Sequence, residues 1–404
     1  MKKLQLGLIF GGRSCEHEVS VISALQLSRS VDRAKYDLYP IYISKSGEWF
    51  SGAALLDLGT YREPILYAKP GEFERVTLDI TAHSGALTAV RPGKWLYSRP
   101  KTVILTHLDC IIPVMHGLHG EDGSLQGLLE MADIPYTSSG VVGSAAGMDK
   151  IIMKQVFRGA GIPVLEDQAV LRSKWLSSPE KVCDRVESTL AYPVFVKPAN
   201  LGSSIGVSRA NNRGELKAAL HLACEYDRRI LVEQGLDHPI EVNCSVLGFD
   251  DDAVASVLEM PSTGGDVLGF FEKYLKGSGA KGMASLARTI PAPVGDALTR
   301  KVKALSLKVF SLLDCKGVVR IDWMIDPATD ELYITEINTI PGSMSFYLWK
   351  ESEPRLRYHK LIDKLVEMAL KAHQEKTDNN YAYRSDLFDK MSLTGSKGSK
   401  GTKA

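Results

Sequence analysis

Four residues in two short segments have the types and spacing to do chemistry. They are Arg320 and Asp322 in Val319-Arg320-Ile321-Asp322, and Glu336 and Asn338 in Glu336-Ile337-Asn338. Each segment alternates polar and apolar residues, which reads as a half-buried strand. Successive strand side chains point to opposite faces, so Arg320 and Asp322 share one face, as do Glu336 and Asn338. If the strands adjoin, two carboxylates, an amide and a guanidinium converge. Hard oxygen donors of this kind suit Mg²⁺ that also holds nucleotide phosphates. A fixed arginine stabilises negative charge developing on a reacting oxygen. The bland alternative is a surface hairpin with solvated charges, turning at Asp326-Pro327 and Thr329-Asp330.

Cationic counterparts stand earlier in the chain. Lys197 ends an apolar run and is followed by the small-residue loop Pro198-Ala199-Asn200-Leu201-Gly202-Ser203-Ser204-Ile205-Gly206. Backbone N–H groups of such a loop close over phosphates, and the lysine adds a point charge. It is not a Walker A loop, and an ordinary hairpin turn remains the alternative. Lys150 lies at the start of a helical stretch. A cation is unfavourable for the helix dipole there, whereas phosphate is favoured. Glu233 closes RILVE and Glu241 lies in PIEVNCSVLG, where carboxylates can meet a nucleotide's amine or ribose hydroxyls. Nearer the N-terminus, Glu18 of Cys15-Glu16-His17-Glu18 can pair with an ammonium group, and His116 shares HGLHGEDGSLQG with the acids Glu121 and Asp122. Lys273 and Tyr274 sit in a glycine-bounded stretch able to close over a nucleotide and exclude water.

The elements that must position these groups follow from pattern. A chain of 404 residues holds two or three domains. Hydrophobic content of 44%, charged content of 24% and a net charge of +1 are those of an ordinary globular protein. They give no electrostatic case for nucleic acid or membrane as partner, and no apolar run reaches the roughly 18 residues that span a bilayer. The N-terminal MKKLQLGLIFGG runs into Gly11-Gly12 as a first strand does, without the cleavage site of a signal peptide. The 6 cysteines form no CxxC pair, so neither disulfides nor structural zinc is implied and a cytoplasmic location is the simplest reading. Cys110, His116 and His119 lack a second ligand pair at zinc-finger spacing. Residues 4–10, 38–43 and 109–115 read as buried strands, with a helix over 18–30 between the first two. This alternation predicts a parallel α/β domain with ligands at the strands' carboxyl ends, in loops 11–18 and 116–123. Residues 50–100 read as irregular and insertion-like. A small, polar stretch at 136–145 suggests a boundary, followed by a helix from Asp149 that Gly161 and Pro163 end. Strands over 192–197 and 229–233 enclose the glycine loop and a helix. Leu298, Val302, Leu305, Val309 and Leu312 mark a helix over 296–313. Leu361, Ile362, Leu365 and Ala369 mark a terminal one. The tail, 376–404, has a disordered composition.

Taken in order, GGRSCEHEVS, HGLHGEDGSLQG, GMDK, VKPANLGSSIGV, LVEQGL, EKYL, RIDWMID and EINTIPGS resemble the D-alanine–D-alanine ligases. The resemblance runs from Leu4 to Ala372, apart from 50–100. It implies the ATP-grasp fold, an α/β fold whose nucleotide-binding part is α+β. Residues 1–138 would form an N-terminal substrate domain. Residues 139–232 and 233–375 would form two ATP-clamping subdomains. It also implies ATP-dependent ligation of two D-alanine molecules through an acyl phosphate for peptidoglycan precursors, in a cytoplasmic homodimer. Glu18 would hold the first ammonium with Ser203 and Tyr274, and His116 would lie near the first carboxylate. Lys150, Lys197, Ser204 and Lys273 would bind phosphates, Glu233 adenine and Glu241 the ribose. Asp322, Glu336 and Asn338 would coordinate two Mg²⁺ ions, or Mn²⁺. Arg320 and the Gly342 backbone N–H would stabilise the tetrahedral oxyanion. The chain departs from the pattern at the acceptor end. Tyr347, beside Leu348, stands where a serine usually grips the second substrate's carboxylate, with Ser343 and Ser345 as possible substitutes. The stretch before Tyr274 also lacks the usual aromatic–Asp–aromatic lead-in. The acceptor therefore remains open among D-alanine, D-serine, D-lactate and another amino acid. A non-catalytic nucleotide-binding protein is the remaining alternative.

Overall fold

The computed structural model describes residues 2–61, 72–93, 99–261 and 288–380. The first sheet contains β1 (Leu4–Gly11), β2 (Tyr36–Ile43), β3 (Trp49–Ser51), β4 (Glu74–Leu78), β5 (Ala86–Arg91), β6 (Lys101–His107) and β7 (Cys110–Pro113) in the order β6-β5-β4-β3-β2-β1-β7. β1 pairs in parallel with β2 and β7. Its apolar sequence is what a strand covered on both faces needs. The helix α1 (His17–Ser28) returns from β1 to β2. Ser20 on α1 joins the strand ends, accepting from Gly11 N–H at 2.7 Å and donating to Val114 O at 2.6 Å. The loops after β1 and β7 therefore emerge side by side.

Residues 50–100 are not irregular in their described parts. β3 to β6 extend the sheet in antiparallel fashion. In β4 only Val76 and Leu78 are buried, too short an alternation for periodicity to reveal. Residues 62–71 and 94–98 lie outside the described residues.

After α2 (Ser124–Met131), α3 (Val141–Met148) and α4 (Lys150–Gly159) comes a four-stranded antiparallel sheet of order β10-β9-β11-β8. It comprises β8 (Asp167–Leu171), β9 (Val194–Pro198), β10 (Ser208–Ala210) and β11 (Arg229–Gln234). The helices α5 (Arg172–Ser177), α6 (Pro179–Glu187) and α7 (Arg213–Tyr226) accompany it. Val182, Val186, Leu216 and Leu220 share its core with Val196 and Ile230.

The third sheet is antiparallel, of order β14-β13-β12-β15-β16. It contains β12 (Ile240–Gly248), β13 (Val254–Pro261), β14 (Arg288–Thr289), β15 (Gly317–Ile325) and β16 (Leu332–Asn338). α8 (Asp296–Leu312) packs on one face, and Met153 and Phe157 of α4 join that core. α9 (Phe346–Glu351) and α10 (Tyr358–Thr377) follow. Leu361, Ile362, Leu365 and Val366 of α10 share a core with Leu6, Leu8, Phe10 and Ile112, each buried side chain contributing about 1.5–3 kcal/mol. α10 is thereby fastened to the first sheet, which brings the loop after β16 against the loops after β1 and β7. α10 reaches Thr377, so the stretch 376–404 begins within a helix; 381–404 lie outside the described residues. No helix among the described residues is long and apolar enough to cross a membrane.

Candidate active site

β15 and β16 are neighbours, and their register aligns Arg320 with Asn338 and Asp322 with Glu336. The row continues across the sheet, since Asn243 is paired with Asp322 and Glu259 with Asn243. Arg320 donates from Nε to Asp322 Oδ1 and from Nη2 to Asp322 Oδ2, both at 2.7 Å. Asn338 Nδ2 adds a bond to Oδ2 at 3.1 Å. Burial pushes the Asp322 carboxyl up despite Arg320, and the carboxylates of Glu336 and Glu259 push the same way. Among the described residues no three His, Cys, Asp or Glu side chains form a metal-holding group. The donors are instead two carboxylates and an amide. That set fits Mg²⁺, which takes one or two carboxylates and completes its octahedron with phosphate and water.

The lysines face this row. Lys150 Nζ lies 3.4 Å from Glu336 Oε2 and donates to Leu201 O in the glycine loop at 2.7 Å. Asp149 caps α4 by accepting from the backbone N–H of Ile151 and Ile152, both at 3.0 Å, which offsets the cost of a cation in the first turn. Lys197, next to last on β9, pairs with Glu233 Oε2, while Lys154 takes Glu233 Oε1. Burial disfavours the Lys197 ammonium, but Glu233, Glu336 and Glu241 together hold it charged. Burial likewise opposes the Glu233 charge, yet the two lysines bring its carboxyl down to about 2. Glu233, placed by resemblance against adenine, thus already carries two ammonium partners. Glu241 sits two residues from Asn243 and shares its face.

At the N-terminal edge the structure corrects one residue. Glu18 points outward and pairs with Lys45, its side chain 58% exposed. Glu16 occupies the place expected of Glu18. It is buried, accepts from Ser203 Oγ, and lines a cleft with Glu121, Lys150, Gly202, Glu336 and Asn338. The reason is helical phase: α1 starts at His17, and residues two apart on a helix diverge by about 200°. Glycines crowd Glu16. A Cβ on Gly117 would lie 2.6 Å from Glu16 Oε2, and one on Gly202 2.9 Å. Ser203 and Ser204 both adopt left-handed backbone, φ 54° and 58°.

Glu121, in the loop after β7, accepts from Gly117 N–H and Ile340 N–H, both at 2.9 Å, and so links two loops of the site. Burial and the nearby Glu16 push its carboxyl up to about 8, against those two bonds. Glu121 lies in the loop 116–123 expected at a ligand site from its place at the carboxyl end of a parallel strand, although the sequence singles out no role for it. His116 is buried, with Nε2 3.3 Å from Ser23 Oγ. Burial lowers it to about 4, with Arg320 adding to the effect, so its imidazole is neutral at neutral pH.

Gly342 precedes a tight left-handed turn of Ser343, Met344 and Ser345, with φ of 51°, 52° and 49°. Non-glycine residues in that region cost about 1–3 kcal/mol each and gather at functional sites. Ser343 Oγ donates to Gln26 Oε1 at 2.5 Å. Ser345 Oγ is buried without a hydrogen-bond partner among the described residues. Tyr347 donates its hydroxyl to Glu259 Oε1 at 2.9 Å, and the Leu348 side chain is fully buried. Lys273 and Tyr274 lie outside the described residues.

Comparison with known proteins agrees with this geometry. Residues 5–139 match the family model for the D-ala D-ala ligase N-terminus, and residues 156–367 the one for its C-terminus. The chain is 38% identical over 380 residues to the D-alanine–D-alanine ligase of Chloroherpeton thalassium, covering 93% of this chain and 99% of that one. Among solved structures, the D-alanine-D-alanine ligase from Coxiella burnetii superposes with a TM-score of 0.76 at 27% identity, covering 94% of this chain and 97% of that one. The VanG D-Ala:D-Ser ligase from Enterococcus faecalis gives 0.74 at 27% identity, covering 91% and 100%. The chain belongs to the D-alanine–D-alanine ligase family, ATP-dependent ligases built on the ATP-grasp fold.

Proposed function

We propose that this site joins D-alanine to a second D-amino acid, D-alanine first among them, for peptidoglycan precursors. The observation that most supports this is the 3.4 Å approach of Lys150 to Glu336, as expected if cations that bind phosphate and carboxylates that bind a metal share one cleft. The buried carboxylate of Glu16, bonded to Ser203, takes the first substrate's ammonium. Neutral His116 lies by that substrate's carboxylate. Lys150, Lys197 and the loop bearing Ser204 hold the triphosphate, with Lys273 a further phosphate ligand by resemblance. Asp322, Glu336 and Asn338 would hold two Mg²⁺ ions, which would supply neutralisation of charge on the phosphates. The first carboxylate attacks the γ-phosphorus, and the bond to ADP breaks. The second amine then attacks the acyl carbon, Arg320 and the Gly342 N–H stabilise the oxyanion, and phosphate leaves while the amine gives up a proton. Phosphoryl transfer of this kind needs positioning and charge neutralisation rather than covalent help from the protein. The working unit is a homodimer in the cytoplasm, where ATP is supplied.

Tyr347 favours a second reading of the acceptor alone, in which D-serine or another amino acid replaces the second D-alanine. Incubation with ATP, Mg²⁺ and mixed D- and L-amino acids, followed by mass spectrometry, separates the two. D-alanyl-D-alanine with matching ADP release is expected. ADP release with another pair and none with D-alanine alone would replace the acceptor and keep the chemistry.

A further inference from the structure

The acceptor end of the site holds a cation that the resemblance does not assign. Arg288 on β14 packs its guanidinium over the Tyr347 ring at 4.0 Å and bonds from Nη1 to Glu259 Oε2 at 2.9 Å. The Arg288 and Glu259 side chains are only 11% and 4% exposed. Glu259 Oε1 also accepts from Asn243 Nδ2 and from the Tyr347 hydroxyl, each at 2.9 Å. The guanidinium plane is therefore fixed by an aromatic face and by a carboxylate that is itself held by two more donors. Glu259 stands two strands from Asp322 in the cross-strand row, roughly 10 Å at the spacing of paired strands. Arg320 feels both Tyr347 and Glu259, so this cluster borders the oxyanion site.

A hydroxyl at position 347 cannot grip a substrate while it serves Glu259, and Ser343 is engaged by Gln26. A buried arginine fork is a stronger carboxylate receptor than a hydroxyl, because its bonds are charge-assisted and can be bidentate. We propose that Arg288 binds the carboxylate of the second substrate, with Glu259 and Tyr347 as positioning residues that orient it. This rests on the ligase reading and names the specificity device of its acceptor subsite. An acceptor must then carry a free carboxylate, and neutral amines are rejected.

D-alaninamide can act only as acceptor, so it isolates this subsite. With the wild type, the acceptor KM for D-alaninamide should exceed that for D-alanine roughly 10- to 100-fold, the weight of one charge-assisted pair. Arg288→Gln should raise the D-alanine acceptor KM by the same factor and leave the KM values for D-alaninamide and ATP within about threefold, so discrimination collapses. Arg288→Lys should restore part of it, and also serves if Arg288→Gln folds poorly. Tyr347→Phe and Glu259→Gln should give smaller losses of the same kind. Equal effects on acid and amide would show a merely structural role and overturn the assignment. So would wild-type indifference between them, or loss of discrimination in Ser345→Ala with Arg288→Gln unaffected. A wild type that makes no product from any amino acid pair sinks the ligase reading, and this inference with it. A working wild type with unchanged discrimination in Arg288→Gln sinks only the inference.

Discussion

At the end of the central sheet, Glu233 lies between Lys154 and Lys197. Across the cleft, Glu16, Glu121 and Glu336 line one wall, with Asp322 beside Glu336. Around Glu233 two ammonium groups meet one carboxylate, whereas the second region crowds carboxylates together, and burial makes that crowding felt in their protonation. The lysines bring Glu233 down to about 2, while burial and Glu16 raise Glu121 to about 8. One region is prepared for phosphate and the other for cations, whether a metal or a substrate ammonium. A molecule that carries a triphosphate with its counter-ions, beside an amino acid, satisfies both at once.

Breaking the cationic side's partner should have the largest effect. Glu336→Gln removes a proposed metal ligand and the counter-charge of Lys150 while keeping the shape. Turnover by coupled ADP release should fall by about 10³-fold or more with the fold intact; activity near wild type would remove Glu336 from the metal site. Next, Glu16→Gln should raise the KM of the first substrate by roughly 10- to 100-fold, whereas Glu18→Gln should stay within about twofold because its only described partner is exposed Lys45. A reversed ranking would restore Glu18 to the site.

The smallest effect concerns stability and has opposite signs in the two regions. Glu121 has its folded value raised from 4.5 to about 8, so the folded state binds more protons than the unfolded between those values. Stability should therefore fall as pH rises through that window, by an order of 1–3 kcal/mol. Glu121→Gln should flatten the fall in a denaturant series. Glu233, lowered from 4.5 to about 2, contributes stability that is present above pH 4.5 and lost as pH falls toward 2. An unchanged slope between pH 5 and 8 in Glu121→Gln would contradict the charge imbalance proposed for that wall.

The row of Arg320, Asp322, Glu336 and Asn338 was legible because 319–322 and 336–338 each alternate and a short connection makes β15 and β16 neighbours, whereas the irregularity between Asp322 and Trp323 that sets Asp322 opposite Glu336 leaves no mark in the pattern. Lys150 and Lys197 were legible as lysines beside a helix start and a glycine loop. The choice between Glu16 and Glu18 was not. α1 has no side-chain cap at Glu16 to mark its first residue, and a start misplaced by one or two residues turns the wrong face inward. β3 to β6 were hidden because few apolar residues per strand are buried. Arg288, Glu259, Asn243 and Tyr347 come from separate elements of the third sheet and α9, and no local spacing announces that they meet.

Lysines and carboxylates that serve one nucleotide must bind it as a unit. Calorimetric binding of a non-hydrolysable ATP analogue, with and without Mg²⁺, tests this most directly. Mg²⁺ should tighten binding at least about tenfold in the wild type, and Glu336→Gln should abolish that gain without lowering the metal-free affinity, which Lys150 and Lys197 set. An equal Mg²⁺ gain in wild type and Glu336→Gln would contradict the shared site.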